Sequence, residues 1–194
     1  MKKFVTVILS VLLVFVFCSC GNSENNDTVL PENTDYDLKS VFDTGSLPDT
    51  KYKLGTDPET IKTDCHYGEA KDENHDHENE LSITVKVDYV RMSYMYASYY
   101  YKAAAAQKGI SSVVSFNDMF GLSVGSSTMQ DVRDTFKDYT FEQEQLTNKD
   151  TYYLPRSIES TVALSVTQNG KKISFVFSED ALVAINLTDT ANWK

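Results

Sequence analysis

The sequence predicts an α+β fold, an antiparallel sheet with short helices packed on one face, and three observations point to it. Residues 161–168 alternate apolar and polar side chains, the period-2 pattern of a half-buried strand, and 171–177 and 181–188 follow as apolar-rich runs of strand length. Asn169-Gly170 joins the first two runs, and both residues tolerate the positive φ that a type I′ hairpin turn requires. Ser178-Glu179-Asp180 turns the chain into the third run. Ahead of them, Met129, Val132 and Phe136 recur at i, i+3 and i+7 behind the hydroxyls of Ser126, Ser127 and Thr128. That is one apolar helical stripe with N-cap side chains in front of it.

The preceding elements follow from the same rules. Gly121-Leu122-Ser123-Val124-Gly125 reads as a short strand and turn before the helix. A weaker copy of the unit lies upstream, where Tyr52-Lys53-Leu54-Gly55 leads into Thr56-Asp57-Pro58-Glu59. Asp57 suits an N-cap and Pro58 the first helical position, and Ile61 and Cys65 then share one face. Leu81, Ile83, Val85, Val87 and Tyr89 alternate as a strand, and residues 110–116 read as another. The tyrosine-rich stretch 92–102 reads as a continuation of the sheet; Ala103 to Ala106 favour helix with Gly109 as a cap, but the preferred reading of the segment is strand, loop, strand. The two glycine turns, Gly55 and Gly125, stand 70 residues apart. The helices after them are out of step by one, since Ile61 is six past its glycine and Val132 seven. The expected organisation is a single domain, 48–194, with tandem helix-plus-β-meander repeats at 48–118 and 119–194.

A chain of 194 residues with 41% hydrophobic and 12% aromatic side chains is long enough for one packed domain. Its formal charge is −10, and removal of residues 1–20, with Lys2 and Lys3, leaves 16 basic against 28 acidic groups, or −12. That sign repels phosphate backbones and anionic lipid headgroups, so no nucleic acid partner is expected.

The first twenty residues carry an address. Two lysines precede an apolar run from Phe4 to Phe17, about 14 residues long. It is short of the roughly 20 that span a bilayer, and it has the layout of a secretory signal. Ser19-Cys20-Gly21 closes it and resembles the lipobox of bacterial lipoproteins, with Phe17 where that family prefers Leu. The resemblance implies cleavage before Cys20, a lipid on its sulfur, and a protein held by acyl chains on the extracytoplasmic side of a membrane. Each buried methylene adds about 0.8 kcal/mol to such an anchor. Cys18 leaves with the signal, so Cys65 is left without an intrachain disulfide partner. Residues 21–47, rich in Asn, Asp, Ser, Glu and Thr, read as a flexible acidic linker, with Val41-Phe42 as a spot that could dock on the domain.

Leu54-Gly55, Pro58-Glu59, Ile61, then Val124-Gly125, Val132 and the terminal strands resemble the fold shared by β-lactamase inhibitory proteins and the small outer-membrane assembly lipoproteins. The resemblance covers roughly residues 52–188. It implies a non-catalytic domain that binds another envelope protein through an exposed sheet face.

Two stretches carry candidate chemistry. His66, His75 and His77 lie within twelve residues of an acidic loop, and imidazole with carboxylate suits Zn²⁺. The competing reading is a solvated charged loop, since a flexible loop must be ordered before it binds. Cys65-His66 does not read as a nucleophile and base, because adjacent helical residues point about 100° apart. Tyr94, Tyr96, Tyr99, Tyr100 and Tyr101 belong to a tyrosine cluster that fits a binding surface, or equally a sheet with tyrosine on both faces. The chain contains no P-loop, nucleophile elbow, dinucleotide fingerprint, zincin motif or EF-hand, and no enzymatic activity is expected. The expected role is a membrane-anchored protein-binding module, with a metal- or small-ligand-binding loop at 66–77 as the alternative. Cys20→Ser is expected to move the protein from the membrane pellet to the soluble fraction; a variant that still pellets would remove the lipid anchor from this reading.

Overall fold

Three short helices begin where a side-chain oxygen accepts a backbone N–H. The computed structural model describes residues 37–67, 80–86, 88–147, 150–151, 153–154 and 161–193, all within the unit Asn33–Lys194. Helix α1 (Leu38–Thr44) is N-capped by Asp37, which accepts from the Ser40 N–H, and ends at Gly45 in the left-handed region. Helix α2 (Pro58–Asp64) is capped by Asp57, with proline in its first turn, as the sequence predicts. Helix α3 (Met129–Thr135) has a reciprocal capping box. Thr128 Oγ1 accepts from the Asp131 N–H, and the Asp131 carboxylate accepts from the Thr128 N–H. Those bonds hold the Asp131 carboxyl below its usual range.

The strands are β1 (His66–Tyr67), β2 (Glu80–Val85), β3 (Tyr89–Tyr94), β4 (Ala97–Lys102), β5 (Ser112–Ser115), β6 (Glu142–Gln145), β7 (Thr161–Gln168), β8 (Lys171–Ser178) and β9 (Ala181–Asp189). They form one sheet in the order β1-β2-β3-β4-β5-β9-β8-β7-β6. Neighbours from β2 to β6 are antiparallel, and the two-residue β1 runs parallel to β2. The connection β2-β3-β4-β5 is one meander and β6-β7-β8-β9 another. Their last strands meet at the centre, with Val113 opposite Leu187 and Ser115 opposite Ile185.

The terminal meander follows the sequence pattern closely. Asn169 and Gly170 have φ of 52° and 74°, and Glu179 and Asp180 repeat the two-residue positive-φ turn. Elsewhere the structure differs from the sequence reading. The alternation from Leu81 to Tyr89 is not one strand: β2 stops at Val85, Lys86 N–H donates to Tyr89 O, and Tyr89 opens the next strand. Residues 92–102 are a tight hairpin, and Ala103–Lys108 is a 3-10 helix ended by Gly109. Gly121 to Gly125 holds no strand of the sheet; Met119 and Leu122 pair only with each other across a turn. Strand β6 was not legible, because Glu-Gln-Glu-Gln at a sheet edge has no buried face to pattern.

The linker boundary at 47 also moves. Leu38, Val41 and Phe42 of α1 are fully buried, and Lys171 Nζ donates to Phe42 O at 2.6 Å. Their i, i+3, i+4 spacing, between an Asp N-cap and a Gly C-cap, is a helix signal overridden by the polar composition around it.

Two buried clusters flank the sheet. In the larger, Leu38, Phe42, Ile61 and Val132 join Met92, Tyr99, Phe175, Ile185 and Leu187. Phe136 stacks against Phe175, with ring centroids 5.4 Å apart. In the smaller, Tyr100, Val114, Ala163, Val176 and Ala184 join Tyr153. Along β4, β5, β8 and β9 the members of the two clusters alternate, which puts the clusters on opposite sheet faces.

Gly109 shows how closely the elements approach. Its φ is +75°, and a Cβ there would lie 2.5 Å from Gly55 O and 2.8 Å from Thr56 O. Gly109→Ala is expected to lower stability by about 2–4 kcal/mol, from left-handed strain plus overpacking against backbone. Gly121→Ala, in open space, should cost about 1 kcal/mol. Urea midpoints of the two variants test this, and equal losses would refute the close contact.

Candidate functional site

The two faces of the sheet are chemically different, and the difference is set strand by strand. Facing the larger cluster, β8 and β9 present Ile173, Phe175, Phe177, Ile185 and Leu187. On the other side the same strands and their neighbours present Ser98, Ser112, Ser165, Ser174 and Asn186, all less than 10% exposed. These are the positions where an amphipathic strand ordinarily carries long solvated side chains; here they are small.

The polar groups of this second face bond to one another. Ser112 Oγ donates to Asn186 Oδ1 at 2.8 Å across the β5–β9 pair, and Thr188 Oγ1 reaches the same oxygen at 3.2 Å. Ser165 Oγ and Ser174 Oγ are 2.9 Å apart. Arg91 Nε donates to Ser98 Oγ at 3.2 Å, and Ser93 Oγ lies 3.3 Å from Ser98 Oγ. At the far edge the Glu144 carboxylate accepts from Ser165 Oγ at 3.3 Å and pairs with Lys172. A buried hydroxyl or amide without a partner costs about 1–3 kcal/mol, and these pairings offset that cost.

The cover over this face is uneven. At the β2–β3 end Ser82 and Thr84 are exposed, and Arg91 and Ser93 half-buried. Over the centre lie Tyr153 and Trp193. Trp193 is returned by a turn in which Asp189 accepts from the Ala191 and Asn192 N–H groups. Its ring sits 6.3 Å from those of Tyr89 and Tyr100, under the Lys102 ammonium at 5.0 Å. Tyr153 is buried, hydrogen-bonds with the Asn186 side chain, and has its hydroxyl pKa raised by burial.

The residues singled out by sequence fall into separate places. Of the five tyrosines, Tyr94, Tyr99, Tyr100 and Tyr101 are interior, each 7% exposed or less, and only Tyr96 stands in solvent, at 66%. They do not form one surface: alternation sends Tyr99 and Tyr101 into the larger cluster and Tyr100 into the smaller. The stretch is a core built from tyrosine, which its β propensity also allows. Tyr52, Tyr94 and Tyr99 pack ring against ring, with Lys51 over the first two. Cys65 is a buried core residue whose Sγ lies 3.1 Å from the Tyr52 hydroxyl. Burial, then that hydrogen bond, raises the Tyr52 pKa. His66 belongs to β1 through its backbone; His75, His77 and Cys20 lie outside the described residues. Among the described residues no group of three His, Cys, Asp or Glu side chains is placed to hold a metal ion. No described helix is long and apolar enough to cross a membrane.

Sequence reasoning missed the second face as a unit. The signal was present in Ser112-Val113-Val114-Ser115, Ser174-Phe175-Val176 and Ala184-Ile185-Asn186, where the small members alternate with the large. Asn186, polar within an otherwise apolar run, is buried against Ser112. Compared with known protein families, curated proteins and solved structures, the chain matches none of them.

Burial pushes the hydroxyls of Tyr99 and Tyr100 up to about 12. A tyrosine pKa raised in the folded state leaves stability undiminished below the unfolded value near 10. Stability should then fall between about pH 10 and 12, by about 1.4 kcal/mol per pH unit per group. Urea melts across that range are expected to show the decline, and Tyr99→Phe/Tyr100→Phe to remove about half of it, because Tyr52 and Tyr153 are raised as well and contribute the same slope. An unchanged slope would place the alkaline sensitivity elsewhere.

Proposed function

We propose that this chain is an extracytoplasmic lipoprotein, anchored through Cys20, whose domain is a non-catalytic binding module for another envelope protein. The partner docks on the second face of the sheet. The observation that carries the reading is the contrast between the two faces: one is sealed by helices with large apolar side chains, while the other sets small, mutually hydrogen-bonded polar groups around a smaller apolar cluster and is open at its β2–β3 end. Groups with partners inside the face can be wet or covered without an unpaired polar atom.

The domain is two tandem repeats, each a glycine turn, a short helix and a four-stranded meander, with the helices on one face. Support comes from the way each turn is tied to the start of the innermost strand of its own meander, at Ile110 just ahead of β5 and at Leu182 within β9. Gly55 N–H donates to Ile110 O at 2.7 Å, and Ile110 N–H returns to Thr56 O at 2.9 Å. Gly125 N–H donates to Leu182 O at 2.7 Å, and Leu182 N–H returns to Ser127 O at 2.8 Å. The return bond lands one residue past the first glycine and two past the second. That extra residue accounts for the slip between Ile61 and Val132. Apolar residues of α1, α2 and α3 all belong to the larger cluster, in keeping with helices on one side.

Site-specific photo-crosslinking on intact cells tests the docking face. A crosslinker at Thr84, exposed on the second face, is expected to give one discrete adduct with an envelope protein, and a crosslinker at Lys39, exposed on α1, none. Equal labelling from both sites, or from neither, would overturn the assignment.

A further inference from the structure

Tyr153 reaches the second face from the connection between β6 and β7. There Thr147 and Asp150 close a turn: the Asp150 carboxylate accepts from the Thr147 N–H at 2.9 Å and from its hydroxyl at 2.6 Å. Thr151 N–H then donates to Thr147 O, and Leu154 N–H to Thr151 O. The turn delivers Tyr153 onto Val114, Ala163, Val176 and Ala184, beside Tyr100, with Leu154 half-buried next to it. That floor is small by composition, and the Tyr153 ring laid on it fills the layer toward close packing. Tyr153 itself hydrogen-bonds with the Asn186 side chain, a bond that an incoming tyrosine would restore; the Ser112–Asn186 and Ser165–Ser174 bonds are made without Tyr153. A permanently sealed face gains more from large apolar residues, as Phe175 and Leu187 provide on the other side. A face that alternates between cover and water keeps small polar groups satisfied in both states.

We propose that this floor is a pocket for a tyrosine presented on a peptide segment. Tyr153 is its intramolecular occupant, and a partner segment carrying a tyrosine followed by an aliphatic residue displaces it. The chain's own Tyr153-Leu154 is the template for that chemistry. The proposal rests on the reading of the second face as the docking surface, and it adds the ligand class and a self-occupied resting state.

The test uses the full chain in mild detergent, with its single tryptophan, Trp193, as a fluorescence reporter at the rim of the pocket. The probes are a synthetic peptide of residues 147–160 and the same peptide carrying Tyr153→Ala. In the wild-type chain the tethered tyrosine competes at an effective concentration on the order of millimolar. The Tyr153→Ala chain is therefore expected to bind the tyrosine peptide at least about tenfold more tightly than wild type, and the alanine peptide to bind neither. Failure of the tyrosine peptide to saturate a folded Tyr153→Ala chain overturns the proposal. Should that variant not fold, native-state hydrogen exchange of the wild type decides. Exchange at Thr151 and Leu154 through an opening that leaves β7–β9 protected supports the pocket, and exchange there only on global unfolding overturns it. Neither measurement involves an envelope protein. A chain that passes them while Thr84 crosslinks nothing keeps the pocket and loses the docking role.

Discussion

The structure depends on the pairing of β5 with β9. Each of these strands ends a meander, and only their contact makes the two meanders one sheet. The pair brings Val113 against Leu187 on one side and Ser112 against Asn186 on the other. The apolar contact belongs to the main core, and the hydrogen bond to the second face, so this seam organises both. It is also the pairing most distant in sequence within the sheet, with Ser112 and Thr188 in register, so it closes the longest loop. Local hairpins form without that cost, and the seam becomes stable only once their side chains can meet across it.

Legibility in the sequence tracked how strongly one face of an element was buried. The meander β7-β8-β9 has large residues on one side and a two-residue turn at each reversal, and its pattern could be read directly. Helices α2 and α3 were legible from Asp57, Pro58 and Thr128, because caps are local chemistry. Helix α1 was hidden by the acidic leader around it, although Leu38, Val41 and Phe42 have helical spacing. Strand β6 left no pattern, since neither side of it is buried. The break at Lys86 was invisible because alternation continued by chance through the turn into Tyr89.

The candidate site was hard to read for a different reason. Tyrosine is amphipathic, and its abundance signals either a surface or a polar-edged core. Here Tyr99 and Tyr100, adjacent in the chain, serve opposite faces of one strand. Serine and alanine, by contrast, look like filler in a sequence, yet Ser112, Ser165, Ser174 and Ala184 set the shape of the second face. Their meaning emerges only after strand register places them side by side.

The two ends of the sheet have unequal social lives. Beyond Glu80 and Leu81, which pair with β1, strand β2 continues as Ser-Ile-Thr-Val without a charge, while the opposite margin, β6, sets Glu142 and Glu144 at alternate positions. A like molecule meeting that acidic margin with its own β6 brings carboxylate against carboxylate, a recognised guard against edge-to-edge pairing. Endless stacking requires that both margins accept a neighbour. With the acidic margin set against its own kind, a symmetric pair of these molecules joins through the uncharged β2 margins, and such a pair leaves no bare β2 edge for a third copy.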